Sequence, residues 1–151
     1  MKPAVDLAYL LRSVKYRDSD LVVTILTRSH GPVALLARGA RKSKKRFGGA
    51  LDYGRLFSAE FTLPKESGLG TLSSVALKED FPAAVATLEG HAAVGHALEV
   101  LRLLAREGDQ SPEPFSLLDA FLRALQKGAD PLSLARVFQI KAAALAGYSL
   151  A

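Results

Sequence analysis

The chain has no cysteine and no tryptophan, and only one methionine. Without cysteine it forms no disulfide, no thiolate metal site and no cysteine nucleophile. Neither is there an uninterrupted apolar run of the ~18 residues that a membrane span needs. The N-terminal Met1-Lys2-Pro3-Ala4-Val5-Asp6 reaches an acid before any apolar signal core can form. These absences point to a cytoplasmic protein with no membrane partner. Carboxylates are unevenly placed, with none between Asp20 and Asp52.

That acid-free interval holds the densest charge in the chain. In Arg38-Gly39-Ala40-Arg41-Lys42-Ser43-Lys44-Lys45-Arg46, six of nine residues are Lys or Arg, and Phe47-Gly48-Gly49 follows. Like charges at this density favour solvent or a polyanion over any buried site. The small residues between them let side chains and backbone amides approach phosphate oxygens closely. The whole chain has 151 residues and a formal net charge of +5. Residues 1–80 carry 14 basic and 8 acidic side chains, whereas residues 81–151 carry 6 and 7. An anion-binding role therefore belongs to the first half.

The first half reads as short strands. β-formers between residues 5 and 16 are interrupted by the polar cluster Lys15–Asp20, read as a turn. Leu21 to Arg28 is rich in β-branched residues, Ser29-His30-Gly31-Pro32 is a turn signal, and Val33 to Ala37 runs into the basic stretch. Phe57, Ala59, Phe61 and Leu63 alternate with polar residues, the mark of a half-buried strand. Pro64–Gly68 is a second turn, and residues 69–78 form a weaker fifth strand. Five short strands in about 75 residues suggest a small closed barrel of the OB, SH3-like or sandwich kind.

From Phe81 the period becomes helical. Val94, Leu98, Leu101 and Leu104 form one stripe, opposite Glu99, Arg102 and Arg106. Phe115, Leu118, Phe121, Leu122 and Leu125 mark a second helix, with Asp119 and Arg123 on its outer face. Asp130 as N-cap and Pro131 at the first position open a third, which passes Leu134, Val137, Phe138 and Leu145 to stop at Gly147. The fold class expected is segregated α+β, with a barrel over 1–80 and a helical domain over 81–151. The apolar end Tyr148–Ala151, close to a packed helix, suggests that further sequence follows.

No catalytic or metal constellation is present. His91 and His96 do not share a helix face, His30 has no sequence partner, and Lys42-Ser43 lacks the glycines of a phosphate loop. The reading is non-enzymatic, with no cofactor. Exposed rings beside cations can stack on bases. Tyr16, between Lys15 and Arg17, is the best such platform; Tyr53 is another, and Phe47 reads rather as a core residue.

Tyr16-Arg17-Asp18-Ser19-Asp20, Leu26-Thr27, Gly31 and Ala37–Lys44 with Phe47-Gly48-Gly49 resemble, in order and spacing, the N-terminal domain of bacterial RecO recombination mediators. The closing Arg136-Val137-Phe138 through Gly147-Tyr148 is similar to the family's helical region. The resemblance implies a five-stranded OB-fold β-barrel followed by a helical domain, binding of single- and double-stranded DNA, and strand annealing. It implies work with RecR, with RecA and with the C-terminal tail of the single-stranded-DNA-binding protein, at the nucleoid. By position it implies DNA contacts from Arg38, Arg41, Lys42, Lys44, Lys45 and Arg46, with Arg17 nearby. Many family members carry a four-cysteine zinc site further on; this chain has no cysteine to form one. OB-folds often bind through the loops joining strands 1–2 and 4–5, whereas the charge here lies between strands 3 and 4. An RNA-binding OB protein and an adaptor docking an acidic peptide are the alternative readings.

Overall fold

The computed structural model describes residues 3–43, 45–64 and 68–147. Five strands come first: β1 (Pro3–Tyr16), β2 (Asp20–Thr27), β3 (Gly31–Ala37), β4 (Arg55–Thr62) and β5 (Gly70–Asp80). Three helices follow: α1 (Leu88–Leu104), α2 (Glu113–Gln126) and α3 (Pro131–Leu145). The strands close into a barrel in the order β1-β2-β3-β5-β4, with β4 pairing back onto β1. Neighbours are antiparallel except β3 and β5, which are parallel at Leu35–Gly70 and Leu36–Thr71. This is the five-stranded Greek-key barrel of the OB-fold, attached to a helical packet.

β1 makes closure possible. At 14 residues it is the longest strand, and a register shift between Leu10 and Arg12 lets it turn a corner. Its first half pairs with β4 and its second with β2. Both faces of its centre are covered, which explains why Ala8-Tyr9-Leu10-Leu11 is continuously apolar rather than alternating. Ala8 and Leu10 join the barrel interior with Ile25, Leu35, Phe57 and Phe61. Tyr9 and Leu11 face outward into a second core shared with Phe81 and the helices. Phe57, Ala59 and Phe61 are fully buried, as their alternation predicted. Each such phenylalanine contributes about 1.5–3 kcal/mol by leaving water.

Several boundaries differ from the sequence reading. Lys15 and Tyr16 end β1, opposite Leu21 and Asp20, so the turn is only Arg17–Ser19. Gly31 and Pro32 open β3 instead of completing a turn. Gly31, at φ +67°, lies so near the α1–α2 connection that a Cβ there would fall 2.0 Å from the Asp109 carbonyl oxygen. β5 runs to Asp80 and is the second longest strand. Of the turn read at Pro64–Gly68, residues 65–67 lie outside the described residues, as does the apolar end 148–151.

The helical segment opens later than Phe81. Residues 82–87 form turns and bends, and Thr87 caps α1 by accepting the Gly90 N–H. α2 buries all five residues of its predicted stripe, and Asp130 caps α3 by accepting the Ser133 N–H. That bond holds the Asp130 carboxyl below the usual carboxylate range. α3 buries only Phe138 and Ala142, leaving Val137 and Leu145 half exposed. Among the described residues, no helix is long and apolar enough to cross a membrane.

Candidate nucleic-acid interface

Residues 38–54 form a long turn-rich connection between β3 and β4, fastened at both ends and in the middle. Arg38 emerges exposed from β3, and the chain then reverses at Gly39, whose φ of +69° only glycine adopts without strain. The Gly39 N–H donates to Asp20 Oδ1 at 2.8 Å and the Arg41 N–H to the Ser19 carbonyl at 3.0 Å. The Arg41 guanidinium donates to the Asp18 carbonyl at 2.9 Å. All three acceptors lie in the β1–β2 turn or on the residue that opens β2.

The middle of the connection is held by Phe47, 2% exposed and part of the barrel core. The sequence assignment of Phe47 to the core is therefore correct. Beside it the Arg46 carbonyl accepts the Val75 N–H of β5 at 2.9 Å. The Arg46 guanidinium donates to the Arg38 carbonyl and lies 5.0 Å over the Phe47 ring. Lys42 and Lys45 sit between these anchors with exposed side chains. Lys44 lies outside the described residues.

Folding the connection onto the β1–β2 turn gathers two sequence blocks. Lys15, Tyr16 and Arg17 come from one side, and Arg38, Arg41, Lys42, Lys45 and Arg46 from the other. The charge between strands 3 and 4 is thereby brought to the loop between strands 1 and 2, where OB-folds commonly bind. Arg17 is the one described non-glycine residue with positive φ, at 55°. Its guanidinium carbon stands 5.0 Å over the Tyr16 ring. Tyr16 itself is 42% exposed, consistent with its reading as a ring near water.

The fold also brings Asp18 and Asp20 against the loop, which sequence distance concealed. Asp20 uses one oxygen on the Gly39 amide. Among the described residues, no ion pair engages any of these basic side chains. Asp18 and Asp20 offset only part of so dense a positive charge, and an incoming polyanion would lower the repulsion that is left.

Three contacts near the site were not read from the sequence. Arg55 donates to the Gly49 carbonyl, closing the loop's exit, and lies 3.6 Å from Asp80. The Tyr53 hydroxyl accepts the Ser13 N–H at 3.0 Å, so this ring is pinned to β1 while remaining 45% exposed. His30 does have a partner: its Nδ1 lies 2.9 Å from Oδ2 of the buried Asp6, which also accepts the Ser29 N–H. A lone Arg between two acids was the only signal for Arg55; Asp6 carried none. His96 meets Gln139 of α3 at 3.3 Å, and among the described residues no cluster of metal-ligating side chains forms.

Residues 1–81 match the family described as Recombination protein O N terminal, and residues 86–151 match Recombination protein O C terminal. The chain belongs to the RecO family. It is 42% identical over 138 residues to the DNA repair protein RecO of Anaeromyxobacter sp. (strain K), covering 91% of this chain and 54% of that protein. With the proteins of the same name from Geobacter sulfurreducens and Myxococcus xanthus it shares 36% and 39% identity over 143 residues, covering 58% of each. The chain thus spans about half the length of the curated relatives it matches. The resemblance read from the order and spacing of Tyr16–Asp20, Leu26-Thr27, Gly31, Ala37–Lys44 and Phe47-Gly48-Gly49 is to the family that these matches show.

Proposed function

We propose that this chain is the DNA-binding part of a recombination and repair mediator, with the barrel over 1–80 holding DNA and the helices over 81–151 serving protein partners. The observation that carries this is the basic connection folded onto the β1–β2 turn, which displays Lys15, Arg17, Arg38, Arg41, Lys42, Lys45 and Arg46 at one end of the barrel. Lys44 belongs to the same sequence block and is proposed with them. Such a surface neutralises backbone phosphates of single or double strands without reading base edges. Two strands held on one positive surface repel each other less, and this favours annealing. The activity needs no bond-making residue, and the reading is non-enzymatic.

The partners proposed are those that the resemblance implies: RecR, RecA and the acidic C-terminal tail of the single-stranded-DNA-binding protein. Arg102 of α1 and Arg136 of α3 are exposed on the helices; Arg106, expected on the same helix face as Arg102, is exposed in the α1–α2 connection because α1 ends at Leu104; and Arg123 is occupied by Asp119 and Glu79. Arg123 is therefore removed from the helical arginines available to a tail carboxylate. The setting is the cytoplasm, at the nucleoid. Oligonucleotide affinity measured as salt is raised tests the phosphate reading. Equal affinity for DNA and RNA strands of one sequence is expected; a clear RNA preference would favour the RNA-binding alternative, since only RNA offers a 2′-hydroxyl.

A further inference from the structure

The exit of the basic connection opens into a groove that phosphate binding does not use. Asp52 to Arg55 form one wall, Leu11 of β1 lies at the bottom, and α1 supplies the facing wall through Gly95, Leu98 and Arg102. Its volume is about 680 Å³, inside the range of roughly 300–1,000 Å³ typical of small-molecule pockets.

Three features define what fits. The first is Gly95, in the middle of α1, where glycine is the least favourable residue after proline. A Cβ there would meet nothing within 4 Å, so packing does not demand glycine, and the space beside it is open for a larger side chain to enter. The second is Tyr53, whose hydroxyl is held by Ser13 while the ring stays half exposed on the groove wall. A ring fixed at its edge is a stacking platform. The third is charge. Asp52, Asp80 and Glu99 line the groove against Arg55 and Arg102, and Arg55 lies 3.6 Å from Asp80 and 3.9 Å from Asp52. With His91 neutral, that leaves one carboxylate in excess, which disfavours phosphate. Carboxylates instead accept from the exocyclic amine of cytosine or adenine.

We infer that this groove takes one unstacked, amino-bearing base from a single strand whose phosphates lie along the basic connection. The inference rests on the DNA-binding reading and extends it. Arg55 ties the two parts together, since it donates to Gly49 at the loop's exit and lines the groove. A duplex presents its bases stacked and paired, so the groove would make the chain favour single strands.

The test compares a short oligo-dC with an abasic strand of the same length and charge, on the whole chain and on Gly95→Leu and Tyr53→Leu. Gly95→Leu fills the groove while improving helix propensity, so it should melt no lower than the original; Tyr53→Leu removes the platform independently. The original chain should bind oligo-dC about tenfold more tightly than the abasic strand, in keeping with base–aromatic stacking. Both variants should bind both strands with the abasic affinity. Equal, measurable affinities in the original chain would overturn the groove alone and leave it open to a protein side chain. A preference that survives either substitution also overturns it. No affinity for either strand would overturn the phosphate reading and this one together.

Discussion

The Tyr9 hydroxyl donates to Asp119 Oδ1 at 2.6 Å, across 110 residues of sequence. Asp119 Oδ2 in turn accepts Arg123 Nε at 2.9 Å, and Arg123 reaches Glu79 of β5 at 2.6 Å. The Arg123 guanidinium carbon also lies 5.5 Å over the Phe81 ring. Two strands and one helix are thus joined by a short polar chain at the margin of their shared apolar core. It fixes where the helices stand against the barrel, and so where α1 faces the exit of the basic connection.

Removing that hydroxyl has a definite cost. Tyr9 is fully buried, and hydrogen bonds to charged groups contribute about 1.5–3 kcal/mol. Tyr9→Phe should lower urea-unfolding stability by about that amount at neutral pH. Burial, then the Asp119 carboxylate, push the phenol well above its usual value of about 10. The folded state therefore favours the neutral phenol. Its contribution is complete below about pH 10 and falls as pH rises beyond, where the unfolded chain ionises and the folded one does not. Tyr9→Phe should lose less stability between neutral pH and about pH 11 than the original chain does. Identical alkaline losses would contradict the assignment.

Gly31→Ala tests a second contact, between the barrel and the α1–α2 connection. The added methyl would strain a left-handed backbone and collide with the Asp109 carbonyl. Left-handed strain of about 1–2 kcal/mol and overpacking of about 1–3 kcal/mol predict a loss of roughly 2–5 kcal/mol by chemical denaturation. A loss under about 0.5 kcal/mol would mean that this approach is not tight.

The basic side chains divide into two kinds, which mutation should separate. Lys42 and Lys45 are exposed ends between anchors, so Lys42→Ala with Lys45→Ala should leave melting within a degree or so while weakening DNA binding. The salt dependence for single strands should become shallower by about 1.4 in log–log slope, ~0.7 for each phosphate no longer neutralised. Arg41 and Arg46 also hold the connection through carbonyls of Asp18 and Arg38. Their alanine variants should lose loop order as well as charge, read as faster amide exchange at Gly39 to Ser43. Equal exchange in the lysine and arginine variants would refute the distinction.

What was legible in the sequence was whatever local chemistry dictates. The alternation at Phe57–Phe61 reported a strand with one face in the barrel, and Asp130-Pro131 reported a helix start because a cap is a local bond. The density of charge at residues 38–46 reported exposure, since no fold buries it cheaply. Asp119 and Arg123, by contrast, were placed outside because a helix wheel shows one face at a time. Their partners Tyr9 and Glu79 come from strands that the wheel does not contain. Phe81 was read as the point where the helical period starts, yet it serves the shared core before α1 begins at Leu88. The Arg41 bonds to the β1–β2 turn were invisible for the same reason, although they decide which cations stand together.

The central claim is that this surface binds nucleic acid through its phosphates, and one titration tests it most directly. Single-strand oligonucleotide affinity is measured on this chain as salt is raised from about 50 to about 200 mM. With about five phosphates contacted, log K against log salt should fall with a slope near −3.5, so that binding weakens roughly 100-fold over that range. A slope indistinguishable from zero would contradict the account.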